Sequence, residues 1–183
     1  MTWWSSNAVA GRLAEAQYTL GDGPCQRATD LAAPVLASDL STGPDARRWP
    51  LFARQAVEMG VRAVFSFPLG AETAVAGTLD LYRAVPGDMD VEDVSNALLA
   101  ADAIMFALLN LQASVLPDGA DSWLKHAEDN RDEVQQATGM IMFYLDTDPQ
   151  QALARLRAHA FVHDQSVSEA ARDVIERKVT FDA

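Results

Sequence analysis

Cysteine and histidine are scarce in this 183-residue sequence, which contains one cysteine and three histidines. A single thiol excludes a disulfide within the sequence, and such cysteine usage is typical of cytoplasmic proteins. Cys25, His126, His159 and His163 do not have the spacing of zinc ligands. We therefore predict a cytoplasmic protein without a metal or another cofactor.

Long apolar runs are also missing. No stretch approaches the roughly 18 consecutive apolar residues of a membrane-spanning helix. The first residues, MTWWSSNAVAGR, lack the basic start and the apolar block of a signal peptide. We expect neither a leader nor a membrane partner. Apolar residues nevertheless make up 49% of the chain, which is enough to build the cores of one large or two small domains.

Basic side chains are outnumbered, because 26 acidic residues stand against 14 lysines and arginines and the net charge is −12. Neither the first 120 residues nor the remainder is basic. This balance argues against nonspecific binding of nucleic acid, which needs a basic surface. Binding of RNA would need a local basic patch and two copies acting together.

Signatures of catalysis are missing as well. The GDGP sequence at Gly21–Pro24 lacks the lysine and the glycine spacing of a phosphate-binding loop. No local motif suggests a Ser-His-Asp arrangement, and the acidic residues are scattered along predicted helix surfaces. We predict that the protein is not an enzyme and has no catalytic residues.

The first 115 residues predict a mixed α/β domain. Pro34–Leu40 has the pattern of a short strand, Ser41–Arg48 reads as a turn, and Trp49–Gly60 has helical spacing. Val61–Gly70 and Ala71–Ala84 are rich in β-forming residues and predict an antiparallel pair.

A long helix is predicted within Val85–Leu116, with Asp90 as the residue that caps its start. Apolar residues cover more than half of its circumference. Because its own sheet needs only one face, the surplus would suit a partner helix.

The remaining residues predict three helices after a linker at residues 116–122. The first helix starts near Ser122 and stops at the LDTDP sequence. Asp148 with Gln151, and Ser166 with Glu169, have the spacing of capping boxes and mark the starts of the second and third helices.

This C-terminal segment, Arg131–Phe181, closely resembles the ANTAR domain, an RNA-binding module of bacterial antiterminators. The resemblance rests on a Gln-Ala-x-Gly-Met motif, an Ala-x-x-x-Leu-Arg-x-x-Ala motif and the spacing of the last helix. The matching residues are Gln136, Ala137, Gly139, Met140, Ala152, Leu156, Arg157, Ala160, Ala171 and Ile175. Many members of the family have lysine where this chain has Thr138, and that difference removes a potential phosphate contact.

The resemblance implies an RNA-binding surface on these helices. Neutral side chains would hydrogen-bond bases, cations would contact phosphates, and an imidazole would stack on a base. The candidate RNA-binding residues are Arg131, Gln135, Gln136, Thr138, Gly139, Arg155, Arg157, His159, Arg177 and Lys178.

Two alternatives stay open for several of these positions. Ala137, Gly139 and Ala160 are small either because helices cross there or because RNA approaches closely. Arg157 either contacts RNA or forms a structural salt bridge. An ordinary solvated face is an equal alternative for Arg177 and Lys178.

The N-terminal part resembles a GAF domain of the kind fused to ANTAR modules in actinobacteria. The resemblance rests on Gln17–Cys25, Trp49–Leu69 and Gly77–Arg83, and the front of the family pattern has no counterpart here. It implies sensing of a small molecule or a protein signal. Cys25 is a candidate for redox sensing or pigment attachment, and the alternative is a small buried residue.

We therefore predict an α+β protein, with an antiparallel-sheet GAF domain at 1–115 whose front is missing and an all-α ANTAR domain at 123–183. The predicted function is transcription antitermination by a homodimer that binds RNA hairpins in nascent transcripts. One alternative is a ligand-binding or protein-interaction sensor with little RNA affinity. A weaker one is DNA binding by the last two helices, whose turn lacks the usual glycine.

Overall fold

A computed structural model describes residues 2, 4–70, 74–113 and 121–181, with the side chains of 111–113 and 121–131 outside this description. The chain divides into two compact units. The sheet unit is Asp22–Pro117, and the helical unit consists of Met1–Gly21 and Asp118–Ala183. The predicted linker at 116–122 lies outside the described residues, apart from the start of a helix at Asp121.

The described elements follow each other in the order α1, α2, β1, α3, α4, β2, β3, α5, α6, α7 and α8. Their bounds are α1 Ala8–Leu20, α2 Pro24–Leu31, β1 Val35–Ala37, α3 Gly43–Arg48, α4 Pro50–Glu58, β2 Ala63–Leu69, β3 Gly77–Arg83, α5 Val91–Ala113, α6 Asp121–Leu145, α7 Pro149–Val162 and α8 Val167–Ile175.

The sheet unit is built on a three-stranded antiparallel sheet in the order β1-β2-β3. Ser66 in β2 lies opposite Val35 in β1 and Asp80 in β3. Every residue of β2 is buried, and the helices α2 and α5 both contact this strand. The predicted antiparallel pair is confirmed.

The long helix α5 covers one face of this sheet. The Asp90 carboxylate accepts a hydrogen bond of 2.7 Å from the Asp93 amide, which confirms the predicted helix start. Ala97 and Ala101 are buried against a cluster that contains Phe65 and Phe67. Small residues at these positions let the helix lie close to the strands.

The prediction of a turn at Ser41–Arg48 is wrong, because α3 begins inside it. The Asp39 carboxylate accepts hydrogen bonds from Ser41 and Thr42 and closes the turn that precedes the helix. These hydrogen bonds lower the pKa of Asp39 to about 2. Pro44 then stands in the first helical turn, where its missing N–H costs nothing.

The three predicted C-terminal helices are confirmed as α6, α7 and α8; the predicted capping box forms at Ser166, whereas Asp148 caps α7 with its side chain alone. The Asp148 carboxylate accepts a 2.9 Å bond from the Gln151 amide. The Ser166 hydroxyl and the Glu169 carboxylate satisfy each other's backbone amides. Glu169 has a lowered pKa because Ser166 hydrogen-bonds its ionised form.

The core of the helical unit contains mostly small and branched side chains. Its buried residues are Val134, Ala137, Ile141, Ala152, Leu156, Ala160, Val167, Ala170, Ala171 and Val174.

The first helix belongs to the helical unit rather than to the sheet unit. Tyr18 of α1 is partly buried against the helical core, and α1 contacts α7. The sheet unit begins at Asp22, and the domain bounds 1–115 and 123–183 stay a prediction. None of the described helices is long and apolar enough to cross a membrane.

Candidate nucleic-acid interface

One side of α6 is fixed by the core, and this decides what the other side presents. Val134, Ala137 and Ile141 are buried, as the spacing of three and four residues in a helix requires. The opposite side exposes the polar and small candidates together with one aromatic ring. We call this surface the α6 stripe; it consists of Gln135, Gln136, Gly139 and Phe143, all of which are exposed.

Gly139 lies at the centre of the stripe and has empty space above it. No described atom beyond its own helical backbone and its chain neighbours comes within 4 Å of the position that a Cβ would occupy. The crossing interpretation is therefore wrong for Gly139. Ala137 and Ala160, in contrast, are fully buried in the helical core, where close packing explains their size.

Thr138 is half-buried and its hydroxyl is already engaged. The Thr138 Oγ1 donates a 2.7 Å hydrogen bond to the carbonyl oxygen of Val134, one turn earlier in α6. It can still accept a hydrogen bond, but its proton is not available to a base.

Arg157 lies under α1 instead of projecting freely from α7. Its guanidinium carbon is 5.8 Å from the centre of the Tyr18 ring, which is cation–π distance. Burial lowers the pKa of Arg157, and Tyr18 opposes this shift. No described acidic group pairs with Arg157, so the salt bridge that was one of its two alternatives does not form, and a structural role here comes from the Tyr18 ring.

His159 is also engaged within the protein. Its ring stacks on His163 with the centroids 4.1 Å apart, and Phe181 meets it edge-on at 5.5 Å. Burial, followed by the neighbouring His163, lowers the pKa of His159 and so favours the neutral imidazole. These contacts leave little of the ring for stacking on a base.

The remaining candidate cations differ in their surroundings. Lys178 is 2.5 Å from Glu176 and 3.5 Å from Asp173. Arg155 and Arg177 are exposed, and no described carboxylate lies within ion-pair distance of either. The side chain of Arg131 lies outside the described residues.

Another cation joins two helices of the core. Arg172 of α8 pairs with Glu133 of α6 at 3.2 Å. Glu133 raises the pKa of Arg172 through this hydrogen bond and its charge. Arg172 thus stabilises the contact of α6 with α8 and is not a free phosphate ligand.

The structure brings Gln135, Gln136 and Gly139 together on one face of α6 and places His159 and Phe181 in contact elsewhere in the unit. It adds Phe143, which sequence reasoning missed. The signal that would have found Phe143 is its position four residues after Gly139, outside the buried spacing of α6.

In the sheet unit, Cys25 has the surroundings of a structural thiol. Burial raises its pKa far above the usual range, and the Asp80 carboxylate adds to the effect. A thiol that stays protonated is a poor nucleophile, so these surroundings disfavour redox sensing and pigment attachment. Among the described residues, no group of three or more His, Cys, Asp or Glu side chains could hold a metal ion.

Comparison with known proteins identifies the C-terminal segment. Residues 123–175 match the family model of the ANTAR domain. This segment is an ANTAR domain. The ANTAR domain is an RNA-binding module of antitermination regulators, so the α6 stripe belongs to a domain type that contacts RNA.

Two further comparisons add little about function. No curated protein matches the chain. A domain assigned to a two-component sensor histidine kinase protein from Sinorhizobium meliloti 1021 is similar at 21% identity and a TM-score of 0.39. The likeness covers 44% of this chain and 53% of that one.

The two glycines at Gly139 and Gly21 predict opposite responses to alanine. Gly139→Ala should raise the free energy of unfolding of the ANTAR-containing chain by up to about 1 kcal/mol, because alanine is the better helix former and meets no neighbour. Gly21→Ala should lower it by about 1 kcal/mol or more, because Gly21 has a φ of +64° and its Cβ would lie 2.6 Å from the Arg157 guanidinium.

Urea denaturation followed by circular dichroism would measure both changes. Loss of stability in Gly139→Ala would contradict this and would mean that an atom of the folded protein occupies the space above Gly139.

Proposed function

We propose that the protein is a cytoplasmic, homodimeric regulator that binds RNA hairpins in nascent transcripts through its ANTAR domain and favours antitermination. The observation that carries this proposal is the empty, exposed position at Gly139 in the α6 stripe. An exposed helical glycine costs about 1 kcal/mol relative to alanine and gains nothing from packing here. Close approach of an external partner to the backbone is the physical reason that remains.

The chemistry of α6 favours contact with bases over contact with phosphates. Val134–Leu145 contains no charged side chain. The amides of Gln135 and Gln136 can donate to and accept from the edges of unpaired bases. The chain has a net charge of −12, so its acidic side chains repel RNA phosphates. Hydrogen bonds from neutral amides to bases do not depend on attracting those phosphates.

A dimer is supported by the outer face of α5. Its side chains Leu99, Phe106 and Leu109 follow one another at intervals of seven and three residues and are exposed by 67%, 69% and 51%. That spacing is typical of helices that pack along a seam. A second copy with the same helix would cover this seam, and two ANTAR domains in one particle would turn a weak RNA contact into a useful one.

We propose that the sheet unit is a GAF-type sensor of a small-molecule or protein signal. The three-stranded antiparallel sheet, with α2 and α5 in contact with β2, supports this assignment. Its signal would act by changing how two copies associate, and hence whether two ANTAR domains engage one RNA.

The α6 stripe predicts a specific loss of RNA binding. The full chain should shift a two-hairpin RNA with randomised loops in a gel, and Gly139→Leu should weaken binding about tenfold or more by filling the approach to the backbone. The slope of log K against log salt should be shallow, about −2 to −3 per copy, because few cations are available for phosphates.

The matched control is Ala8→Leu, which enlarges an exposed helical residue of α1 outside the stripe and should bind as the wild type does. Equal binding by Gly139→Leu would contradict the assignment of the stripe. No binding by the wild type, with binding restored by Thr138→Lys, would favour a sensor that has lost RNA affinity. That second function is motivated by the engagement of Arg157, Arg172 and Lys178 within the protein.

If the exposed α5 residues Leu99, Phe106 and Leu109 form the dimer interface, one charge added among them should separate the two copies. Phe106→Glu should convert a dimer into a monomer in light scattering after size exclusion, because a buried unpaired carboxylate is costly. Leu51→Glu on α4 adds the same charge at another exposed apolar position and should leave the dimer intact. A dimer that survives Phe106→Glu would exclude this seam as its interface.

A further inference from the structure

Phe143 is an aromatic side chain that the fold does not use. It is 84% exposed on α6, on the side away from the buried Val134, Ala137 and Ile141. Its described aromatic neighbour is Tyr144, whose ring is 5.9 Å away at an interplanar angle of 71°. At this exposure most of the Phe143 ring surface is open for stacking.

Phe143 stands next to the empty position at Gly139. The two residues are four apart, which places them on one face of the helix about 6 Å apart along its axis. Side chains of an α-helix lean toward its N-terminus, so the ring at Phe143 leans toward the turn that holds Gly139. Gln136 lies three residues before Gly139 on the same face. The helix thus forms a slot. The backbone at Gly139 is its floor, the Gln136 amide lies at one end, and the Phe143 ring lies at the other.

We propose that this slot, formed by Gln136, Gly139 and Phe143, binds one unpaired nucleobase of the RNA. The base stacks on the Phe143 ring, the missing side chain at Gly139 makes room for it, and the Gln136 amide hydrogen-bonds its edge. This inference rests on the proposed RNA-binding function and names the part of the RNA that the α6 stripe recognises.

The composition of the slot selects a base over other ligands. It contains no charged side chain, so neither a phosphate nor a charged peptide would be neutralised there. A flat heteroaromatic ring with donors and acceptors at its edge matches an aromatic face beside an amide. A second copy of the chain could also cover Phe143, and the light-scattering measurement below distinguishes that case from a bound base.

The test measures RNA binding after changing the Phe143 side chain, after removing single loop bases, and after both changes together. A hairpin that binds the full-length wild type most tightly is selected from a pool with randomised loops, and abasic sites are then placed at each loop position. Phe143→Leu should weaken binding about tenfold or more, because leucine keeps the apolar bulk and loses the stacking face. Phe143→Tyr, which keeps the ring, should bind as the wild type does.

One abasic position should weaken wild-type binding by at least the same factor and should weaken Phe143→Leu binding by clearly less, because the variant has already lost the stacking and keeps only the Gln136 hydrogen bond to that base. Losses that multiply at every loop position, or Phe143→Leu binding at the wild-type level, would overturn the slot while the RNA-binding function stands. Failure of the wild type to bind any member of the pool would overturn both. A change of mass of Phe143→Leu in light scattering would assign the ring to a protein contact and also overturn the slot.

Discussion

The close packing of α6 against α7 and α8 is the constraint on which the candidate interface depends. Alanines at Ala137, Ala160 and Ala170 are fully buried in this core, and their size lets the helix backbones approach each other. The packing fixes the rotation of α6 about its own axis. Because Ala137 and Ile141 face the core, helix geometry places Gly139 and Phe143 on the solvent side.

Charge sets the second constraint on how this ANTAR domain could work. Several of its cations already serve the fold, since Arg172 joins α8 to α6, Lys178 pairs at the end of α8, and Arg157 lies on the Tyr18 ring. The uncharged surface of α6 is therefore better suited to reading bases than to attracting phosphates. The affinity for RNA would then come from several uncharged contacts in each ANTAR domain, and a dimer would bring two such domains to one RNA.

Local sequence signals predicted much of this fold. The capping pairs at Asp148 and Ser166 marked two helix starts because their hydrogen bonds lie within four residues of chain. The antiparallel pair of β2 and β3 followed from residue type and a short connection. A turn was expected at Ser41–Arg48, but α3 forms there. The sequence did not show that hydrogen bonds from Ser41 and Thr42 to Asp39 would lead directly into a helix.

What the sequence left open depended on contacts between distant residues. Nothing local shows that Tyr18 of α1 lies against Arg157 of α7. Small residues at 137 and 139 look alike in the sequence, yet one is in the core and the other faces empty space. Phe143 was overlooked because an aromatic residue in an apolar run resembles core, and only the rotation of α6 shows otherwise.

The central claim is that the uncharged α6 stripe, and not the cations of the domain, is the surface that meets RNA. The most direct measurement is an NMR titration of the isotope-labelled full-length chain with the selected hairpin RNA. The account predicts that the largest amide shifts fall at Gln135, Gln136, Gly139 and Phe143. Largest shifts at Arg155, Arg177 and Lys178, with the stripe unchanged, would contradict it.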